Sequence, residues 1–120
     1  MARILIVDDD PETIKLLEGI VKTHGHEPFS ISESRNALKA VESILPDLVL
    51  LDIMMAEING IAICKLIKST PNINHTPVIM VSALNDEGTK RDSANAGADD
   101  FITKPIYPKS FIQHINAILD

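Results

Sequence analysis

Short apolar runs alternate with amphipathic stretches along the whole chain. Three strong runs cover residues 4–7, 48–51 and 78–81, and two weaker runs cover residues 28–31 and 101–102. Four consecutive β-favouring residues are typical of a strand that is buried on both faces, as in a parallel sheet. The pattern therefore predicts three central strands and two short or edge strands.

Between these runs, apolar residues recur with the period of an α-helix. Asp10 and Pro11 form a capping residue followed by a proline at the first helical position, and Gly25 can end that first helix. The second helix is closed by Pro46, Asn59 can cap the third, and the least apolar fourth helix spans roughly residues 87–96. The apolar stripes of the other helices are Ile14, Leu17 and Val21, then Ala37, Val41 and Ile44, then Ile63 and Ile67, and finally Phe111, Ile115 and Ile118. Strands that alternate with helices predict a doubly wound α/β fold with five parallel strands and five helices.

Composition narrows the class of protein. Aromatic residues make up only 3% of the 120 residues, so the core must be aliphatic, and the formal net charge of -6 disfavours direct contact with nucleic acid. The single Cys64 cannot form an internal disulfide, and its place in an apolar pattern predicts a core position. No apolar run is long enough to cross a bilayer or to serve as a signal peptide, which predicts a cytoplasmic protein without a membrane segment.

Chemically useful residues follow four of the five predicted strands. Asp8 and Asp9 follow the first strand, Asp52 the third, Ser82 the fourth and Lys104 the fifth. Ligands of such sheets bind beyond the carboxyl ends of the strands. Each residue alone has an ordinary explanation as a loop acid, a turn residue, a cap or a surface charge. Their convergence on one edge is what indicates a site.

Three gathered carboxylates repel one another unless a cation lies among them. A hard ion with oxygen ligands, above all Mg²⁺, suits such a set. A carboxylate can also attack phosphorus and form an acyl phosphate, while a lysine and a hydroxyl can bind the phosphoryl oxygens. The residues therefore favour metal-assisted phosphoryl transfer.

Five segments together make the chain recognisable. They are ILIVDDD at residues 4–10, PDLVLLDIMM at 46–55, NG at 59–60, PVIMVSA at 77–83 and GADDFITKP at 97–105. In this order and spacing the chain, residues 1–120, resembles the receiver domain of two-component response regulators. The resemblance implies one domain of flavodoxin-like topology.

The resemblance also assigns roles to individual residues. Asp52 matches the phosphoacceptor, and Lys104 matches the lysine that binds the phosphoryl group. Ser82 and Phe101 match the switch residues. The implied Mg²⁺ ligands are Asp8, Asp9, Asp52 and the backbone carbonyl of Met54. Pro105 matches a proline that follows a cis peptide bond.

Partners follow from the same resemblance. A sensor histidine kinase or a phosphotransfer protein would supply the phosphoryl group. The fourth helix, fifth strand and fifth helix would contact an output domain or partner protein, in a monomer or a phosphorylation-dependent dimer. Ala56 stands where the family usually has proline, and residues 106–109 lack the pattern of the winged-helix transcription-factor subfamily.

Two other functions are open at this stage. A haloacid-dehalogenase-type phosphatase would also use a strand-end aspartate and Mg²⁺, but it needs an acid where Met54 stands. A degenerate receiver would act as a binding module without phosphorylation. The leading prediction is a signalling switch that is not an enzyme with turnover on an external substrate.

Overall fold

Five strands and five α-helices alternate in the computed structural model, which describes all residues 1–120. The strands are β1 (Arg3–Val7), β2 (Glu27–Ile31), β3 (Leu48–Leu51), β4 (Val78–Ser82) and β5 (Asp100–Thr103). The helices are α1 (Pro11–Thr23), α2 (Ala37–Ile44), α3 (Gly60–Ser69), α4 (Glu87–Asn95) and α5 (Pro108–Leu119). All strands pair in parallel in the order β2-β1-β3-β4-β5. The predicted doubly wound fold is confirmed.

Local side-chain chemistry sets most helix starts. Asp10 caps α1 by accepting a hydrogen bond from the amide of Glu12, and Asn59 caps α3 in the same way through Ala62. The cap of α4 is Asp86, and a short 3₁₀ turn at Ser34–Asn36 precedes α2. Neither of these two features was predicted from the sequence. None of the helices combines the length and the apolar character needed to cross a lipid bilayer.

The sheet divides the hydrophobic core into two layers. Helices α1 and α5 cover one face, and α2, α3 and α4 cover the other. Nearly all buried core residues are aliphatic, and Phe111 is the only fully buried aromatic residue. Cys64 lies fully buried in the layer beneath α2, α3 and α4, as predicted. Burial raises the pKa of its thiol to about 11. A thiol with that pKa is inert at neutral pH.

The strand order places a crevice beside β1 and β3. From β1 the chain first winds outward to β2 and then crosses to β3 on the other side. The loops that follow β1 and β3 therefore diverge, and ligands of doubly wound sheets bind at such a point. The carboxyl edge, meaning the end of the sheet where Val7, Leu51, Ser82 and Thr103 terminate their strands, is where a site is expected.

Candidate functional site

Asp52 is a buried carboxylate at the end of β3. Its side chain is only 8% exposed, and its backbone amide donates to the carbonyl of Val7 at 2.9 Å. One carboxylate oxygen accepts a hydrogen bond from the amide of Ile53 at 2.9 Å. Burial, reinforced by the neighbouring charge of Asp8, raises the pKa of Asp52 to about 6. The carboxylate is thus mostly ionised at neutral pH, but at a cost in free energy.

Asp8 and Asp9 lie beside Asp52. Carboxylate oxygens of the three residues lie within 4.8 Å of one another. Asp8 is buried, and its Oδ1 accepts a hydrogen bond from the amide of Asp10 at 2.9 Å, while Asp9 is exposed. This set offers only hard oxygen donors and combines buried with accessible carboxylates. It fits a divalent cation such as Mg²⁺, which keeps several waters and takes few protein ligands.

Lys104 supplies the positive charge of the cluster. Its Nζ lies 3.0 Å from Oδ2 of Asp8 and 3.6 Å from Oδ1 of Asp52. The peptide bond between Lys104 and Pro105 is cis, as the resemblance implied. Three ionised carboxylates and one ammonium leave a net charge of two negative charges, which one divalent cation would balance.

The two predicted switch residues make no hydrogen bond to the carboxylates, although the backbone carbonyl of Ser82 accepts from the amide of Lys104 at 2.9 Å. The hydroxyl of Ser82 is buried and accepts a hydrogen bond from the amide of Leu84 at 3.1 Å. Phe101 is half-buried on β5 and packs against the core layer beneath α2, α3 and α4. The Nζ atom of Lys90 lies 6.0 Å from the centre of its ring. The structure therefore brings Asp8, Asp9, Asp52 and Lys104 into one cluster, with Ser82 next to Lys104 and with Phe101 on β5, three residues before Lys104.

The loop between β3 and α3 completes the site, and part of its role was missed in the sequence. A Cβ atom on Gly60 would lie 1.9 Å from the carbonyl oxygen of Asp52, so only glycine fits there. Met54 is 64% exposed, and together with Asp9 it lines a cavity of about 510 Å³ beside the acids. The Asn-Gly pair at the start of α3 is a visible sequence signal, but it does not reveal this contact with Asp52.

Comparisons with known proteins agree with this geometry. A family model described as "Response regulator receiver domain" matches residues 4–116. The chain is 37% identical to response regulator PleD of Caulobacter vibrioides, over 88% of the chain and 23% of PleD. It is 35% identical to the DNA-binding response regulator MtrA of Mycolicibacterium smegmatis, over 98% of the chain and 50% of MtrA. The chain thus spans half or less of these curated relatives.

A solved structure shows the same architecture. The signal receiver domain of a signal transduction histidine kinase from Syntrophus aciditrophicus superposes with a TM-score of 0.91 at 33% identity, covering 99% of this chain and 90% of that one. The likeness extends over the whole fold, including the edge that carries the acidic cluster. Together with the family match over nearly all residues, it establishes that this chain belongs to the response regulator receiver domain family.

Proposed function

We propose that Asp52 accepts a phosphoryl group from a phosphohistidine of a sensor histidine kinase or phosphotransfer protein. In this step the bond between phosphorus and the imidazole nitrogen breaks, and a bond forms between phosphorus and a carboxylate oxygen of Asp52. The observation that carries the proposal is the position of this buried carboxylate, 3.6 Å from the ammonium of Lys104 and within 4.8 Å of two further carboxylates. Response regulator receiver domains interact with histidine kinases and output domains, which agrees with such a donor.

Each residue of the cluster has a part in the step. Asp8 and Asp9, with Asp52 and the carbonyl of Met54, would hold Mg²⁺, which neutralises charge on the phosphoryl oxygens. Lys104 lies close enough to Asp52 to move from Asp8 to a phosphoryl oxygen, and Ser82 can donate its hydroxyl proton to another. Phosphoryl transfer needs mainly such positioning and charge neutralisation. The domain would thereby assist its own phosphorylation without turnover on an external substrate.

The output would pass through Ser82 and Phe101. When the hydroxyl of Ser82 moves to a phosphoryl oxygen, its hydrogen bond to the amide of Leu84 is lost, and the loop before α4 can shift. Phe101 is half-buried, and its ring lies beside Lys90 of α4, so a shift of α4 can change the position of the ring. The surface of α4, β5 and α5 would then present a changed face to an output domain or partner. Chemical shift changes confined to the loops around Asp52, with none at Phe101, would contradict this coupling.

The phosphoacceptor is tested by mass spectrometry after incubation with acetyl phosphate. Wild type with Mg²⁺ should gain one phosphoryl group, and the gain should be lost when Mg²⁺ is chelated. The variant Asp52→Asn should gain none, and Asp9→Ala should gain it only slowly because it binds Mg²⁺ more weakly. Asp10→Asn is the matched control, since it changes a neighbouring acid to another good capping residue and should label like wild type. Equal labelling of wild type and Asp52→Asn would refute the assignment, and no labelling of wild type would favour a phosphorylation-independent binding module.

A further inference from the structure

The loop between β3 and α3 contains a strained turn. The amide of Ile58 donates to the carbonyl of Ala56 at 3.0 Å, so a hydrogen bond closes a turn of three residues. The central residue, Glu57, has a φ of 74°. A three-residue turn with positive φ is rare, and for a residue with a Cβ it is strained. Such a conformation persists only where the surrounding structure holds it.

A hydroxyl from another part of the chain holds both ends of this turn. Ser34, in the 3₁₀ turn before α2, donates its hydroxyl to the carbonyl of Ala56 at 2.5 Å and accepts the amide of Ile58 at 3.1 Å. Ser34 as a whole residue is only 5% exposed, so water competes little for these bonds. An exposed ion pair between Arg35 and Glu57, at 3.9 Å, links the same two segments but contributes little because solvent screens it.

The turn at residues 56–58, which Ser34 holds, lies next to the proposed metal site. Met54, whose carbonyl is a proposed ligand, precedes Ala56 by two residues, and Ala56 has no ring to restrict its own φ. The ends of the loop are fixed separately, because Asp52 is buried and the amide of Gly60 donates to the carbonyl of Ile53 at 2.8 Å. Ser34 therefore supplies the restraint on the middle of the loop.

We propose that Ser34 is a positioning residue for the Mg²⁺ site, acting through the loop that carries Met54. The inference rests on the proposed function, because it concerns the same metal. With the hydroxyl in place, the loop is ordered before the ion arrives. Without it, the turn relaxes, and ordering the loop opposes metal binding although Asp8, Asp9 and Asp52 are unchanged. The loss of a buried hydrogen bond of this kind corresponds to a roughly threefold to tenfold weaker Mg²⁺ affinity.

The test compares Ser34→Ala with wild type in two measurements. A Mg²⁺ titration followed by backbone NMR should show affinity reduced by about threefold to tenfold. Hydrogen exchange in the metal-free protein should show the amide of Ile58 exchanging faster, a readout that needs no metal. Ser69→Ala removes a hydroxyl bonded within α3, and Arg35→Ala removes only the exposed ion pairs of Arg35 with Glu33 and Glu57. Both variants should leave both measurements unchanged.

Two further variants separate positioning from general destabilisation. Ser34→Ala combined with Ala56→Pro should recover much of the affinity, because proline restricts φ at 56 and the amide of Ala56 makes no hydrogen bond that would be lost. Should Ser34→Ala fail to fold, Ser34→Cys keeps the volume with a weaker donor and should give an intermediate affinity. Affinity of Ser34→Ala within twofold of wild type would overturn this inference alone. A wild type that binds no Mg²⁺ at all would overturn the proposed function with it.

Discussion

The two edges of the sheet use aspartates in opposite ways. At the amino edge, where the strands begin, Asp47 accepts a hydrogen bond from the amide of Arg3 at 2.8 Å. Asp99 accepts one from the amide of Val78 at 2.8 Å and an ion pair from Lys68 at 3.0 Å. Each carboxylate there has its own backbone donor, and Asp99 has a cation that it shares with no other carboxylate. These aspartates join segments distant in sequence and stabilise the fold.

At the carboxyl edge, three carboxylates lie together, and the single ammonium of Lys104 contacts two of them, Asp8 and Asp52. Asp8 and Asp52 are both buried, and the pKa of Asp52 is raised to about 6 by burial and by Asp8. The same residue type therefore stabilises the fold at one edge and destabilises it at the other. The acidic cluster is therefore not explained by folding, since the fold would be more stable without part of it. Strain of this kind concentrates at functional sites.

The largest effect on stability is expected from Gly60→Ala, which disturbs the packing at the carboxyl edge. The new Cβ would lie 1.9 Å from the carbonyl oxygen of Asp52, a backbone atom that cannot rotate away. We expect the free energy of unfolding to fall by roughly 3 kcal/mol or more, as for other strained or overpacked sites. Urea denaturation measures it. Gly19→Ala is the matched control: no atom lies within 4 Å of its added Cβ, and in the middle of α1 it should stabilise by up to about 1 kcal/mol. A similar effect of the two variants would contradict the packing argument.

The second prediction concerns Asp52→Asn, which we expect to raise the free energy of unfolding rather than lower it. Because the folded-state pKa of Asp52 is about 6, above the ordinary value of 3.8 for an aspartate, the folded protein binds this proton more tightly than the unfolded protein between those pH values. Stability from this group is therefore lost as pH rises through that window, and it stays lost above it. Asp52→Asn, which is never charged, should be about 2–3 kcal/mol more stable than wild type at pH 8 and nearly equal to it at pH 3.5. Denaturation curves without Mg²⁺ at both pH values measure this difference. If Asp52→Asn were less stable than wild type at pH 8, the charge of Asp52 would not destabilise the carboxyl edge.

The smallest effect is expected at the amino edge. Asp99→Ala leaves the amide of Val78 without its acceptor, while the ammonium of Lys68 loses its ion pair but keeps its hydrogen bond to the carbonyl of Thr76. The side chain of Asp99 is 40% exposed, so water replaces part of the loss. We expect the free energy of unfolding to fall by about 1–2 kcal/mol, with little dependence on Mg²⁺. If Asp99→Ala were stabilising, as we expect of Asp52→Asn, the contrast between the two edges would disappear.

The sequence predicted the fold and the members of the cluster because both follow from local patterns. Apolar runs identify buried strands, and the residue after each run must lie at the carboxyl edge. Asp8, Asp52 and Lys104 could thus be placed together although they are far apart in the chain. The family resemblance added roles for Ser82 and Phe101, which geometry alone does not assign.

Other features depend on distances between loops, and no local pattern encodes those distances. The hydroxyl of Ser34 bonds to Ala56 and Ile58, which lie 22 and 24 residues later in the chain. From the sequence alone, a serine in a loop usually indicates only a turn. The contact of Gly60 with the carbonyl of Asp52 and the raised pKa of Asp52 likewise depend on how tightly the edge is packed. The ion pair between Lys104 and Asp8 is present before phosphorylation. It also depends on distances between loops, so the sequence did not predict it.

The aliphatic core also decides what fluorescence can report on this molecule. The chain contains no tryptophan and one tyrosine, and that tyrosine, Tyr107, is 68% exposed at the start of α5. Tyrosine emission therefore comes from one surface position and carries no signal from the core. A single indole introduced at Phe101 would emit without background from any other tryptophan, so its spectrum would describe the surroundings of β5 alone.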